Sequence, residues 1–209
     1  MSYTYSDDDG VFLVRLARNT IDEYVQHKRK PVVPSSASQN LMVESGVFVT
    51  LKIRENRGYR LRGCIGRPYP NQPLIEATID SAIDSSVNDP RFRPVIPDEL
   101  QSIVVELSVL TPPMKVSYEN PSELLEKIEV GRDGLIAIRG GWRGLLLPQV
   151  PVQYGWDVKT YLEHTCMKAG LPEDQWKNPD TEFMSFQAEI FGEVAPRGNI
   201  IRNPRHEQC

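Results

Sequence analysis

No CxxC pair, no glycine-rich phosphate fingerprint and no apolar run near the ~20 residues that span a bilayer occur in this sequence. Three cysteines (Cys64, Cys166 and Cys209) are too few and too scattered for a disulfide framework. The three histidines (His27, His164 and His206) lack metal-ligand spacing, so no metal site is expected. The opening MSYTYSDDDG is acidic and lacks the basic and apolar regions of a signal peptide, which leads to the expectation of a cytoplasmic protein with no membrane partner. A net charge of −4 argues against wholesale nucleic-acid binding. No βαβ rhythm accompanies the glycines, which excludes a dinucleotide-binding reading.

What remains is an ordinary folded composition: 40% hydrophobic and 25% charged residues in 209, enough for one large domain or two lobes sharing a core. Val11, Val14, Ala17, Ile21, Tyr24 and Val25 recur at helical spacing, so a helix is expected over about 7–28, stopped by Pro31 and Pro34. GVFVTLKIRE and YRLRGCIG alternate as strands around Asn56-Arg57-Gly58, a hairpin loop with Gly58 in the left-handed position. A helix is expected over about 73–87 and a strand over 102–110 with Val104, Glu106 and Ser108 on one face. A short helix opens at the capping box Asn120 to Glu123, a second hairpin lies around Gly140-Gly141, and Asp157 caps a helix to about Ala169. The last strand is expected over 182–194 with Met184, Phe186, Ala188 and Ile190 inward, followed by a polar tail from residue 196. Hairpins and alternation predict an α+β fold, mainly an antiparallel sheet with packed helices.

The first hairpin decides where Cys64 lies. With Asn56 to Gly58 as the loop, Arg54 faces Arg60, Lys52 faces Arg62 and Thr50 faces Cys64, all on one face, with Val49, Leu51, Ile53, Leu61 and Ile65 on the other. Like charges directly opposite one another weaken a sheet unless carboxylates or a bound anion compensate. Cys64 then ends a cationic stripe, where positive neighbours favour a reactive thiolate. Gly63 and Gly66 beside it offer close backbone approach to a ligand. The competing reading is a small buried hydrophobe, and a one-residue register slip places Cys64 in the core. Glu106 is either a carboxylate meeting Arg60 or Arg62 as ligand-positioner or base, or half of a structural ion pair. His164 is either the general base for Cys64 or a helix-packing side chain.

LRGCIG (Leu61 to Gly66), NDPRFRP (Asn88 to Pro94), VVELSVLTPP (Val104 to Pro113), VGRDGLIAIRGGWRGLLLPQV (Val130 to Val150) and GWDVKTYLEHTCMKAGLP (Gly155 to Pro172) follow one another in an order that resembles the AMMECR domain family. The resemblance runs from about Gly46 to Glu193. It implies one domain over residues 1–195, made of a larger and a smaller lobe with a cleft between them, and a C-terminal tail over 196–209. It also implies association with Memo-type and radical-SAM proteins, and it brings no established activity or cofactor. Three functions are compared on these residues. The first is an enzyme acting on a small anionic substrate in the cleft, with Cys64, His164 and Glu106 catalytic and Arg60, Arg62, Gly63 and Gly66 binding substrate. The second treats LRGCIG as a structural signature of the lobe interface. The third is a binding module for RNA or a protein partner, for which the basic face carries only Phe48 as a stacking ring.

Overall fold

A computed structural model describes residues 5–34, 37–55 and 58–203. Its described residues form five helices and nine strands in two antiparallel sheets, so the α+β expectation holds. The helices are α1 (Asp7–His27), α2 (Leu74–Val87), α3 (Leu124–Lys127), α4 (Gln149–Tyr154) and α5 (Val158–Lys168). The strands are β1 (Gly46–Glu55), β2 (Gly58–Arg67), β3 (Ile103–Leu110), β4 (Met114–Lys115), β5 (Gly134–Arg139), β6 (Trp142–Leu146), β7 (Glu182–Phe186), β8 (Ala188–Glu193) and β9 (Ile200–Arg202). The chain divides into two compact units, Met1–Leu110 with Glu189–Cys209, and Thr111–Ala188.

The first unit holds the sheet of order β2-β1-β3-β8-β9, with α1 and α2 packed on one face. Ser6 and Asp9 exchange side-chain bonds with each other's backbone N–H and start α1. Lys28 ends it in the left-handed region at φ 56°. The buried side of α1, with Leu13, Val14, Ala17 and Ile21, shares a core with Val47, Val49 and Leu51 of β1 and Val105, Leu107 and Val109 of β3. The face of β1 and β3 away from the helices carries Thr50, Lys52, Glu106 and Ser108 instead. Arg18 of α1 is buried in this unit. Its Nε donates to Glu193 Oε1 (3.0 Å) and its Nη2 to the Ile103 carbonyl (2.7 Å), while Glu193 Oε2 accepts from the Val105 N–H (3.0 Å).

The second unit holds the sheet of order β4-β7-β5-β6, with α5 packed on it through Tyr161, Leu162 and Cys166. Asp157 caps α5 by accepting the Thr160 N–H (2.7 Å).

Three expectations need correction. The run over 182–194 is two strands in two sheets. It breaks at Gln187, whose N–H donates to Thr111 Oγ1 (2.8 Å) and whose carbonyl accepts the Thr111 N–H (2.9 Å). Phe186 is buried as expected, but Phe183 and not Met184 is the other buried residue of β7. The segment read as tail contributes β9, whose Ile200 pairs with Glu193 and Arg202 with Phe191. Of the predicted hairpin loop, Asn56 and Arg57 lie outside the described residues, and Gly58 has φ 121°, a positive value that only glycine adopts readily.

Candidate functional site

Cys64 lies where the register predicted, opposite Thr50, with Val49 opposite Ile65 and Leu51 opposite Gly63. One residue further the pairing slips: Lys52 faces Leu61, Ile53 faces Arg60 and Arg54 faces Tyr59. Arg62 is the extra residue of a β-bulge, which re-aims side chains along a strand. The expected stripe of Lys52, Arg60, Arg62 and Cys64 on one face is therefore wrong at two positions. Arg60 aligns with Ile53 and pairs with Glu55 (2.6 Å). Arg62 is only 8% exposed; its Nε and Nη2 donate to the two Glu99 carboxylate oxygens at 2.7 and 2.9 Å. Leu61, expected in the core, is 37% exposed because the bulge turns it to the side of Lys52.

Each glycine of the motif is required by packing. A Cβ on Gly63 would stand 2.1 Å from the Ser85 carbonyl oxygen of α2, and one on Gly66 would stand 2.4 Å from the Phe48 ring and the Val47 carbonyl. The Ser85 hydroxyl accepts the Ile65 N–H (2.9 Å) and donates to the Val49 carbonyl (2.7 Å), which ties α2 to both strands at this point.

Because β2 is an edge strand, its outward backbone groups need partners. At Cys64 the segment after α2 supplies both. The Cys64 N–H donates to Asp89 Oδ2 (2.9 Å), and the Cys64 carbonyl accepts from Arg91 Nη2 (3.2 Å). Arg91 grips the same carboxylate through Nε (3.0 Å) and Nη2 (2.7 Å), and Phe92 lies under the guanidiniums of both Arg62 and Arg91. Asp89 is a residue whose contact with Cys64 sequence reasoning missed. Its signal was the NDPRF block itself, a helix stop rich in charge.

On the face away from the helices, Cys64, Thr50 and Glu106 form one row across β2, β1 and β3, since Thr50 pairs with both of the others. The Thr50 hydroxyl donates to Cys64 Sγ (3.3 Å), and Lys52 Nζ donates to Glu106 Oε2 (2.8 Å). Burial pushes the Cys64 thiol up, and the Asp89 and Glu106 carboxylates act in the same direction against the Thr50 hydroxyl and Arg91. The depressed thiol inferred from a cationic stripe is thus reversed: Lys52, Arg60 and Arg62 each hold a carboxylate, and Cys64 rests as a protonated thiol.

Glu106 pairs with Lys52 and not with Arg60 or Arg62. His164 belongs to the second unit, on α5, where its ring stacks on Trp156 at 3.8 Å and 5°, with Tyr154 stacked beyond Trp156 at 5.1 Å. Cys166 is core, its thiol raised by burial to about 11. Trp142 of β6 is exposed. Among the described residues no cluster of histidine, cysteine and carboxylate has the grouping to hold a metal ion, and no helix is long and apolar enough to cross a membrane.

Asp89 makes the site acid-sensitive. Buried, it accepts bonds from Arg91 and from the N–H of Cys64 and of Arg91, and these hold its carboxyl at about 2 against the cost of burial. The folded value lies below the ordinary ~3.9, so this carboxylate stabilises the fold above pH ~4. That contribution, about 2 kcal/mol, is lost as pH falls toward 2. Asp89→Asn is expected to flatten the fall of Tm between pH 4 and 2 relative to the parent. Parallel Tm curves would show that Asp89 is not the group responsible.

Several known proteins are similar to this chain. The AMMECR1 family matches residues 14–191. A protein of Thermococcus kodakarensis is 53% identical over 205 residues, covering 97% of this chain and 98% of its own. A protein of Methanocaldococcus jannaschii is 50% identical over 194 residues, covering 93% and 94%. The crystal structure of the uncharacterized protein PH0010 from Pyrococcus horikoshii matches with a TM-score of 0.91 at 50% identity, over 97% of this chain and all of that one. The chain is a member of the AMMECR1 family.

Proposed function

We propose that this protein is an enzyme acting on a small anionic substrate, and that its chemistry is carried by the Cys64–Thr50–Glu106 row. The observation that carries the proposal is the register itself, which sets a thiol, a hydroxyl and a carboxylate side by side on the sheet face that has no helix core behind it. Aliphatic side chains on that face would hold a sheet as well or better, because a largely buried ion pair such as Lys52–Glu106 contributes little net stability. Cys64 is the nucleophile, kept protonated at rest. In this reading the Thr50 hydroxyl, which donates to Cys64 Sγ at rest, turns toward Glu106 and takes the thiol proton as its own passes to that carboxylate, so the thiolate forms only as the substrate arrives. Glu106 takes the role that sequence alone offered to His164, because it shares the row. Substrate contact passes from Arg60 and Arg62, which hold Glu55 and Glu99, to Arg91. Its side chain is 54% exposed, and its Nη1 bonds to no described residue.

A second reading, in which LRGCIG is architecture alone, is favoured by the packing of Gly63 on Ser85 and of Arg62 on Glu99. The two separate on Cys64→Ser, a change that leaves those contacts intact. Parent and variant are incubated with a panel of small carboxylates, phosphate esters and thioesters, and products are read by mass spectrometry. The enzyme reading expects at least one turnover that falls by ~10³ or more in Cys64→Ser while Tm is nearly unchanged. Equal turnover in both proteins, or none across the panel, supports the architectural reading.

A further inference from the structure

We propose that the outer flank of α1 beside β9 is a second ligand site, for an anion that carries an apolar tail. It lies at the β9 edge of the five-stranded sheet, and Cys64 lies on the strand at the other edge. Two cavities adjoin there. One, of about 680 Å³, has three guanidiniums (Arg15, Arg18 and Arg197) against one carboxylate, Glu193, in its lining. The other, of about 390 Å³, is lined mainly by Phe12, Leu16 and Pro34, with Asp8 at its side. Val11, Arg15 and Asn19 line both, so a single molecule can present a charged group to one and a hydrocarbon to the other.

The arginines differ in what they hold. Arg18 is committed to Glu193 and to the Leu100 and Ile103 carbonyls. Arg197 donates to both Asp22 carboxylate oxygens (2.8 and 3.0 Å) and to Gln101 Oε1 (3.0 Å). Arg15 is exposed and bonds to no described residue, which leaves it as the guanidinium available to an incoming anion. The backbone supports the same reading. Ala195 to Gly198 is a turn closed by the Gly198 N–H on the Ala195 carbonyl (2.8 Å), and its third residue, Arg197, has φ 57°. Glycine or asparagine is the favoured residue in that position. An arginine held there, in a strained conformation at the cavity wall, points to a selected side chain.

The test uses octanoate as probe, with acetate and octanol as half-probes and octyl phosphate to distinguish head groups. Affinity is measured on the full chain by calorimetry and by the concentration-dependent rise in Tm. Octanoate or octyl phosphate is expected to bind at least tenfold more tightly than acetate and octanol. Arg15→Gln, which breaks no bond in the fold, is expected to weaken it tenfold or more, and Val11→Ser to weaken it less. The proposal is overturned if neither amphiphile binds, or if Arg15→Gln binds as the parent does.

Discussion

Arg18→Met is expected to lower stability by about 3–5 kcal/mol, a fall in Tm of roughly 6–20 °C. The size follows from what the substitution leaves behind. Arg18 and Glu193 are both almost fully buried, with side chains 6% and 3% exposed, and their ion pair joins α1 to β8. Removing the guanidinium takes the buried counter-charge from the Glu193 carboxylate, which also accepts the Val105 N–H, and removes a donor from the Ile103 carbonyl at the start of β3. Removing both charges with Arg18→Met and Glu193→Gln should restore much of the loss, because the penalty lies in the unpaired charge. Thermal melts of the two single variants and the double variant measure the coupling. Additive losses would show that the pair is not a unit.

Gly63→Ala is expected to cost about 3 kcal/mol, at the upper end of overpacking effects, because the obstacle is the backbone of Ser85 and not a side chain that can turn aside. The new Cβ would sit 2.1 Å from the Ser85 carbonyl oxygen, so α2 must move away from β2, and the Ser85 bonds to Ile65 and Val49 must stretch. Gly141→Ala is the control: a Cβ there meets nothing within 4 Å and its φ is not positive, so its Tm should match the parent. If the two alanine variants melt together, the close approach of α2 to Gly63 is not a feature of the folded protein.

Much of the fold could be read from local chemistry. The bounds of β1, the Ser6–Asp9 start of α1, the Asn120–Glu123 box and the Asp157 cap are all set by residues within a few positions of one another. The position of Cys64 opposite Thr50 was legible for the same reason. The bulge at Arg62 was not, because YRLRGCIG alternates without a break and nothing local marks an extra residue. Its causes are distant: Glu99 draws the Arg62 guanidinium, and Ser85 presses on Gly63. That slip broke the expected cationic stripe into separate ion pairs, and burial raises the thiol that the stripe was expected to depress. The split of 182–194 escaped for a parallel reason, since Thr111, which clips Gln187, lies far back in the chain. α4 gives little periodic signal in its six residues, and its Pro151 reads as a breaker.

The row Cys64–Thr50–Glu106 is tested most directly by the pH dependence of Cys64 alkylation, followed on the Cys64 peptide in the parent and in Glu106→Gln. The parent midpoint is expected above the ordinary thiol value of ~8.5, because burial and two nearby carboxylates oppose the thiolate. Glu106→Gln removes one of those carboxylates, and with it a negative charge that opposes the thiolate. The midpoint should therefore move down, with faster alkylation at pH 7. An unshifted midpoint, or one already below 8.5 in the parent, would contradict the electrostatic coupling of Cys64 to Glu106 on which the proposed chemistry rests.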